Sequence, residues 1–266
     1  MNEESLLLEA VADLARAAGN VANRHFKSQL TVEIKADGSP VTIADRAAES
    51  AARKWLAQRF PEDDIIGEEL GALDRGARRR WIIDPIDGTK SFVRGVPLWG
   101  TLVGVSIGEV IVAGAAYFPV LDELLCAAHG QGCWWNGARA HVSTVDRLSA
   151  ATVLTTDERF AAAPEHAESW RRLADRAALS RSWGDCYGYL LVATGRAEVM
   201  VDGALAAWDA AALMPAIVEA GGVFTDWSGR ATAFGGSAIA TNLTIAAESR
   251  NVLGNAEMET KNGGGR

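Results

Sequence analysis

Two carboxylates stand three residues apart, directly after a short apolar run. The run from Trp81 to Ile83 (WII) leads into the segment from Asp84 to Thr89 (DPIDGT). An apolar run that ends in two acids predicts a strand with both carboxylates at its C-terminal edge, where α/β proteins bind ligands. Hard carboxylate oxygens suit Mg²⁺, which binds a few protein carboxylates together with substrate phosphate and water. The alternative for this segment alone is a surface turn, in which Asp and Gly are also common.

The other residues of this segment are suited to binding a phosphate. Pro85 lacks an N–H group and stiffens the chain, and Gly88 lets the backbone approach a ligand closely. Thr89 supplies a hydroxyl where a following helix would begin, and the free N–H groups at the start of a helix suit an anion. The segment therefore predicts a metal ion and a phosphate group held side by side.

Three further acids stand at positions that favour the same chemistry. Glu68 closes a second short apolar stretch, and Asp209 follows Trp208 at the start of an apolar helix. Asp45 lies in the first turns of another predicted helix. Each acid has an ordinary alternative, respectively an exposed charge pair with Glu69, a helix N-cap and a solvated helix charge. Together with the first motif they favour a carboxylate cluster drawn from four stretches of the chain, which needs no Ser/His/Asp or Cys/His nucleophile.

The composition predicts a soluble globular protein. Of 266 residues, 48% are apolar and 23% are charged, which is an ordinary balance for a folded domain. No apolar run reaches the roughly 20 residues that a membrane-spanning helix needs, and the acidic N-terminus is unlike a signal peptide. A net charge of −8 argues against a nucleic-acid surface. Three cysteines without a CxxC pair indicate a reducing compartment. We therefore expect a cytoplasmic enzyme that acts on a small phosphorylated metabolite, with neither nucleic acid nor membrane as a partner.

Apolar periodicity predicts helices at the start of the chain and a strand-rich region after them. Helices are expected over 5–27 and 42–60, with a short strand at 31–35 between them, and residues 81–125 are strand-rich. Asn136-Gly137 marks a tight hairpin turn. The second half alternates strands and helices, which predicts an α/β layered arrangement. The expected strands are 151–155, 199–202, 222–225 and 238–240, and the expected helices are 165–179, 187–194 and 208–220.

A polar stretch at 142–150 divides the chain into two parts. We expect residues 1–145 to form an N-terminal α+β half with most of the acidic motifs. Residues 146–254 would form a C-terminal α/β half with Asp209. Residues 255–266 are polar and glycine-rich, and this composition predicts a disordered tail.

Taken in order along the chain, these motifs resemble the inositol monophosphatase family of Mg²⁺-dependent, lithium-sensitive phosphatases. The resemblance spans residues 5–250, and its pieces are 39–42 (SPVT) with Asp45, 67–69 (GEE), 81–89 (WIIDPIDGT), Asn136-Gly137, 208–211 (WDAA) and 219–222 (EAGG). The acidic motif combined with a downstream Trp-Asp pair is far more specific than any acid pair alone. The resemblance implies an α/β/α/β/α layered sandwich and a homodimer.

The resemblance also implies which residues hold the metal ions. Glu68, Asp84 and the Ile86 carbonyl would bind a first Mg²⁺. Asp84, Asp87 and Asp209 would bind a second, and Asp87 and Asp209 would also face the bound substrate. Two or three ions are therefore expected, with Mn²⁺ as an alternative to Mg²⁺.

The catalytic residues implied by the same resemblance are Glu68, Thr89 and Asp45. Asp45 and Glu68 would lie near a third, weaker metal site. Thr89 would help to orient the attacking water, and the N–H groups of Gly88 and Thr89 would hold the phosphate.

Two segments resemble the histidinol-phosphate phosphatase subgroup of the family. Residues 89–99 (TKSFVRGVPLW) are similar to the segment that follows the metal motif in that subgroup. Residues 183–189 (WGDCYGY) carry Gly184 and Asp185 where inositol phosphatases typically have Gly-Ser or Gly-Thr. Asp185 would pair with the ammonium or the imidazole of histidinol phosphate through a charge-assisted hydrogen bond. The alternative for Asp185 is a turn or helix-cap residue.

Two more residues bear on the choice of substrate. Asp202 stands seven residues before Asp209, where inositol phosphatases often place a Glu that contacts inositol hydroxyls, and a shorter acid favours inositol less. Arg94 would contact the substrate phosphate or imidazole, or form a salt bridge at the rim of the site. We therefore expect hydrolysis of L-histidinol phosphate in histidine biosynthesis. Hydrolysis of inositol 1-phosphate with broad specificity is the alternative, and a non-catalytic metal- or phosphate-binding protein is a third hypothesis.

Overall fold

The computed structural model describes residues 2–36 and 38–254, so the tail predicted for 255–266 lies outside the described residues. The N-terminal elements are α1 (Glu3–Asn23), β1 (Glu33–Ile34), β2 (Pro40–Val41), α2 (Ile43–Arg59), β3 (Asp64–Gly67), β4 (Gly71–Leu73), β5 (Arg79–Asp87), α3 (Thr89–Val93), β6 (Gly100–Ile107), β7 (Val110–Phe118), β8 (Glu123–Ala128), β9 (Gly132–Trp135) and β10 (Ala138–Ala140). The C-terminal elements are β11 (Thr152–Thr155), α4 (Ala167–Arg176), β12 (Leu179–Arg181), α5 (Asp185–Ala193), β13 (Val199–Asp202), α6 (Ala207–Glu219), β14 (Val223–Thr225), β15 (Ala238–Thr241) and α7 (Ala246–Gly254). Short 3₁₀ turns lie at Leu148–Ala150 and Pro164–His166.

Most of the strands belong to two large sheets. The larger has the order β10-β9-β8-β7-β6-β5-β3-β4 and is antiparallel except between β3 and β5. The smaller has the order β12-β11-β13-β15-β14, with β11 parallel to both of its neighbours. The short strands β1 and β2 pair with each other outside both sheets.

Helices cover both faces of each sheet. The helices α1 and α2 pack on one face of the larger sheet, and α6 packs on the other. The helices α5 and α6 lie between the two sheets, and α4 and α7 cover the outer face of the smaller sheet. These five layers confirm the α/β/α/β/α sandwich that the sequence implied. No helix in the described part of the chain is both long enough and apolar enough to span a membrane.

The central strands of the larger sheet are apolar on both sides because both faces are covered. In β5, Ile82 packs in the layer of α5 and α6, whereas Trp81 and Ile83 pack against α1 and α2. In β6, Leu102 and Val103 divide between the two layers in the same way. This alternation follows from strand geometry, and it fixes the strand that carries the acidic motif between two packed layers.

Local signals set the ends of the early elements. Helix α2 begins after Thr42, whose N–H donates to the Asp45 carboxylate (2.8 Å) as part of a capping box. The helix expected over 5–27 ends at Asn23, and the strand expected over 31–35 shortens to the two residues of β1. The shortening has a physical reason, because β1 pairs only with β2 and joins neither large sheet.

Two glycines allow α6 to lie directly on the larger sheet. A Cβ on Gly104 of β6 would lie 2.7 Å from the Ala211 Cβ, and one on Gly114 of β7 would lie 2.8 Å from the Ala212 Cα. Carbon atoms do not approach so closely without a shift of the backbone, so both strands need glycine here. This contact sets the distance between the sheet and the helix that carries Asp209.

Replacing Gly114 with Ala should push α6 away from the sheet. Overpacking of this kind costs about 1–3 kcal/mol, so urea unfolding should show a free energy of unfolding lower by that amount. Gly254→Ala is the matched control, since a Cβ there meets no atom of the described residues within 4 Å, and its effect should stay within about 0.5 kcal/mol. Equal effects of the two substitutions would contradict the close packing of α6.

Candidate active site

Three of the predicted acids meet at the C-terminal end of β5. One carboxylate oxygen from each of Asp84, Asp87 and Asp209 lies within 4.8 Å of the others. Asp84 is buried, and the other two residues are partly buried. The acids come from β5 and from the first turn of α6, so the fold brings together residues that are far apart in the sequence.

The turn at the end of β5 directs two of these acids to the same side. Residues three apart in a regular strand point to opposite faces, but the pairing of β5 with β6 is irregular between Asp84 and Asp87. The Asp84 carboxylate accepts the N–H of Ile86 (2.9 Å). Gly88 adopts a left-handed conformation (φ 85°) that residues with a Cβ avoid, and the Thr89 hydroxyl donates to the Ile86 carbonyl (2.9 Å). The irregular turn therefore lets both carboxylates join one cluster.

Asp209 reaches the same point from α6. It is the third residue of that helix, and its carboxylate accepts the N–H of Ala206 (3.0 Å). The N-cap alternative is therefore wrong in position, because the N-cap is Ala206 and Asp209 accepts its N–H from the third position of α6. The carboxylate also belongs to the acid cluster, so one side chain serves both purposes.

Burial and mutual repulsion raise the pKa of every acid in the cluster. Burial is the largest cause, and the pKa of Asp87 and that of Asp209 are each raised to about 7. The pKa of Asp84 is raised well above its ordinary value, first by burial and then by neighbouring carboxylates, of which Glu68 has the largest effect. Within the described residues, no lysine or arginine forms an ion pair with any of the three acids. The negative charge of the cluster is therefore not offset by an adjacent protein cation.

The chemistry of these donors fits a divalent cation. Carboxylates and a backbone carbonyl are the hard oxygen ligands that Mg²⁺ prefers. The predicted metal ligands Glu68, Asp84, Ile86, Asp87 and Asp209 all line one cleft. Its volume is about 730 Å³, within the range of about 300–1,000 Å³ that is typical of small-molecule sites. A cation in this cleft would offset the repulsion among the acids and leave space for a substrate.

Glu68 and Asp45 lie outside the group of three, and Asp45, unlike Glu68, is not among the described residues that line the cleft. The Glu68 carboxylate pairs with the Lys35 ammonium (2.7 Å), which also pairs with Glu69. Asp45 is 1% exposed and accepts both the N–H (2.8 Å) and the hydroxyl (2.7 Å) of Thr42. The interpretation of Asp45 as a solvated helix charge is therefore wrong. A metal ion bound by Glu68 would compete with the Lys35 ammonium for the same carboxylate.

Sequence reasoning missed two residues that shape this side of the cleft. One is Lys35, which gave no signal because it stands at the end of the expected strand 31–35, where a lysine is usually exposed to solvent. The other is Glu49, a fully buried residue whose carboxylate accepts the N–H of Glu69 (2.7 Å). Gly67 leaves room for Glu49, since a Cβ at this position would overlap the carboxylate. Glu49 lies one helical turn after Asp45 on the alanine-rich buried face of α2, and an acid on an apolar face was a signal that could have been used.

The start of α5 forms the opposite wall of the cleft. The N–H of Cys186 donates to the Asp87 carboxylate (2.5 Å), which ties this helix to the acid cluster. Asp185 has a left-handed backbone (φ 48°), and its N–H donates to the Thr156 hydroxyl (2.9 Å). An oxygen of the Asp185 carboxylate lies 3.2 Å from the place where a Cβ on Gly88 would stand. Burial, and then the charge of Asp87, raises the pKa of Asp185 to about 8.

The three other residues predicted to bind substrate are Gly184, Asp202 and Arg94, and they differ in exposure and in their contacts. Gly184 lines the cleft and lies against Thr156, where a Cβ would be 2.7 Å from the hydroxyl oxygen. Asp202 is buried, and its carboxylate accepts the Tyr189 hydroxyl (2.9 Å) and the Thr156 N–H (3.2 Å). Arg94 is exposed, donates to a backbone carbonyl one turn earlier (3.2 Å) and is not among the described residues that line the cleft.

The metal-free protein should lose stability as the pH rises. The folded-state pKa is about 7 for Asp87 and Asp209 and about 8 for Asp185, above the value of about 4 for an unfolded chain. Between these values the folded protein holds more protons than the unfolded chain. The free energy of unfolding should therefore fall as the pH rises from about 4 to about 8. Urea unfolding in EDTA at about pH 5.5 and pH 8.5 measures this fall.

Saturating Mg²⁺ should reduce the fall, because a ligand that binds only the folded protein stabilises it. The matched variant is Asp87→Asn combined with Asp209→Asn, which should show a shallower dependence on pH in EDTA. A free energy of unfolding that stays constant or rises over this range would contradict the raised pKa values.

Comparison with known proteins gives the family. The model of the inositol monophosphatase family matches residues 3–261. A histidinol-phosphatase from Chlorobaculum parvum is 39% identical over 254 residues, which cover 95% of this chain and 98% of that protein. A histidinol-phosphatase from Mycobacterium tuberculosis is 39% identical over 248 residues, which cover 91% of this chain and 95% of that protein. The solved structure of an inositol monophosphatase from Zymomonas mobilis has a TM-score of 0.85 at 30% identity, covering 96% of this chain and 100% of that one. The chain therefore belongs to the inositol monophosphatase family, whose enzymes are metal-dependent phosphatases.

Proposed function

We propose that this chain hydrolyses L-histidinol phosphate to L-histidinol and inorganic phosphate with the help of Mg²⁺. The observation that carries the proposal is the Asp185 carboxylate, which lies on the cleft wall beside Gly88. No lysine or arginine in the described part of the chain forms an ion pair with Asp185. A cationic group of the substrate would be its natural partner, and histidinol phosphate carries an ammonium group close to its phosphate ester. The relatives named histidinol-phosphatase support the same substrate.

The metal ligands in this proposal are Glu68, Asp84, the Ile86 carbonyl, Asp87 and Asp209, with Asp45 and Glu68 beside a third, weaker site. When bound, Mg²⁺ or Mn²⁺ would offset the charge of the phosphate and activate water for in-line attack. The N–H groups of Gly88 and Thr89 would hold phosphate oxygens. The oxygen of the water bonds to phosphorus as the ester P–O bond breaks, and the leaving alkoxide takes up a proton.

The contacts of Thr89 and Glu68 support their proposed role in orienting the water. The Thr89 hydroxyl donates its proton to the Ile86 carbonyl (2.9 Å), so its oxygen is left to accept a hydrogen bond from the water. Glu68 lines the same cleft, and its ion pair with Lys35 holds the carboxylate at the edge of the acid cluster. Both groups would then act on the water by hydrogen bonding.

Inositol 1-phosphate is the second candidate substrate, since the matching Zymomonas structure is that of an inositol monophosphatase. The acid that would contact the inositol hydroxyls is Asp202. Its two oxygens already accept bonds from Tyr189 and Thr156, and the residue is only 5% exposed. A neutral polyol would also offer Asp185 no cationic group beyond the Lys90 ammonium, whose charge lowers the pKa of Asp185 without forming an ion pair with it. These contacts favour histidinol phosphate.

We further propose that the enzyme works as a homodimer in the cytoplasm, as a step of histidine biosynthesis. Likeness to the family supports the dimer. The three cysteines are free and buried, which supports a reducing compartment. The net charge of −8 supports a small phosphorylated metabolite rather than nucleic acid as the partner.

Asp185→Asn should impair the hydrolysis of histidinol phosphate and spare esters of neutral alcohols. A charge-assisted hydrogen bond contributes roughly 1.5–3 kcal/mol, so kcat/KM for histidinol phosphate should fall by about 10- to 150-fold. The kcat/KM for inositol 1-phosphate and the kcat/KM for glycerol phosphate should each change by less than about threefold. Initial rates on these esters at saturating Mg²⁺ measure both effects.

Asp209→Asn is the control for this test, because it removes a proposed metal ligand instead of a charge beside the substrate. It should lower kcat on every ester by about a hundredfold or more. Equal losses on all esters in Asp185→Asn would make Asp185 a structural residue. Faster wild-type turnover of inositol 1-phosphate than of histidinol phosphate would contradict the proposed substrate.

A further inference from the structure

A smaller cavity opens off the cleft, and we call it the side pocket. It has a volume of about 230 Å³ and shares Lys90, Thr156, Asp157 and Ala204 with the wall of the cleft. Complete ligand sites usually enclose about 300–1,000 Å³, so the side pocket is too small for a whole substrate. A single water needs only about 10–15 Å³. The size therefore suits one part of a substrate whose remainder lies in the cleft.

The outer wall of the side pocket is the loop 157–163, and this loop is firmly held. The Asp157 carboxylate accepts two backbone N–H groups of the loop, at 3.0 and 3.1 Å. Phe160 is 4% exposed and meets Trp227 edge to face, with the ring centroids 6.0 Å apart. A Cβ on Gly203 would lie 2.8 Å from the Phe160 ring, so the loop packs directly on the chain that follows β13. The shape of the side pocket is thus set before any ligand binds.

The lining of the side pocket combines apolar walls with a buried acid. Phe160 and the alanines 161–163 supply apolar surface, whereas the polar groups come from Lys90, Thr155, Thr156, Asp157 and Asp202. Such a lining suits a flat heteroaromatic ring, which buries its faces against apolar groups and turns its ring nitrogens towards polar ones.

We infer that the side pocket receives the imidazole ring of the substrate, while Asp185 faces the ammonium group. This inference rests on the proposed function and assigns a place to the part of the substrate farthest from the phosphate. The order of the phosphate, ammonium and imidazole groups along histidinol phosphate matches the order in which the acid cluster, Asp185 and the side pocket lie along the cleft. The phosphate would lie at the acid cluster and Gly88, the ammonium at Asp185, and the ring beyond Thr156, which lines both cavities.

Filling the side pocket should therefore harm only substrates that carry the ring. The matched substrate is the phosphate ester of 2-amino-1-propanol, which keeps the ammonium group and lacks the imidazole. Ala162→Phe places a large side chain at an exposed position that lines the side pocket. The KM for histidinol phosphate should rise about tenfold or more, because the ring loses its apolar contacts. The KM for the ester without the ring should change by less than about twofold.

Ala138→Phe is the control, since Ala138 is exposed on β10 and lines neither cavity. It should leave the KM of both esters unchanged. Inhibition by product alcohols tests the same point on the unaltered protein. Histidinol should inhibit at least about tenfold more strongly than 2-amino-1-propanol, and Ala162→Phe should remove the difference.

Two results would overturn the inference and leave the proposed function standing. One is an equal rise in KM for both esters in Ala162→Phe. The other is equal inhibition of the wild-type enzyme by histidinol and 2-amino-1-propanol. If the wild-type enzyme does not hydrolyse histidinol phosphate, the proposed function itself fails, and the inference fails with it.

Discussion

Electrostatic repulsion among three carboxylates is the interaction on which the rest of the structure depends. One carboxylate oxygen from each of Asp84, Asp87 and Asp209 lies within 4.8 Å of the others, and burial limits the weakening of their repulsion by water. Left to itself, such a group would move apart or stay protonated. The raised pKa values favour protonation, and a divalent cation would allow all three acids to ionise.

The fold prevents the three acids from moving apart, because it holds each acid on a rigid element. The strand β5 is covered on both faces, so its end cannot withdraw from the cluster. The helix α6 lies directly on Gly104 and Gly114, which fixes Asp209 relative to the sheet. The start of α5 adds a third constraint, since the Cys186 N–H holds the Asp87 carboxylate (2.5 Å). Asp185 directly precedes Cys186, so the same contact places Asp185 on the cleft wall. One hydrogen bond therefore restrains Asp87, a proposed metal ligand, and positions Asp185, the residue proposed to select the substrate.

Much of this could be predicted from the sequence, because alternating strands and helices predict an α/β layered arrangement and the order of the motifs indicates the family, whose resemblance implies the five layers. The carboxylates of Asp84 and Asp87 stand in one such motif. The contacts of Lys35, Glu49 and Thr156 could not be predicted, because each pairs residues from different elements and no spacing rule relates them. The side pocket could not be predicted for a similar reason. Its walls come from Lys90 and from the segments 155–163 and 202–204, which lie side by side only after folding.

The central claim is that the carboxylates of β5 and α6 share a divalent cation. Anomalous scattering from crystals grown with Mn²⁺ and inorganic phosphate tests it most directly. We predict a Mn²⁺ peak bonded to oxygens of Asp84, Asp87 and Asp209, with a phosphate oxygen among the other ligands. The absence of Mn²⁺ from this cluster under conditions in which the enzyme is active, or a Mn²⁺ peak elsewhere in the protein instead, would contradict the claim.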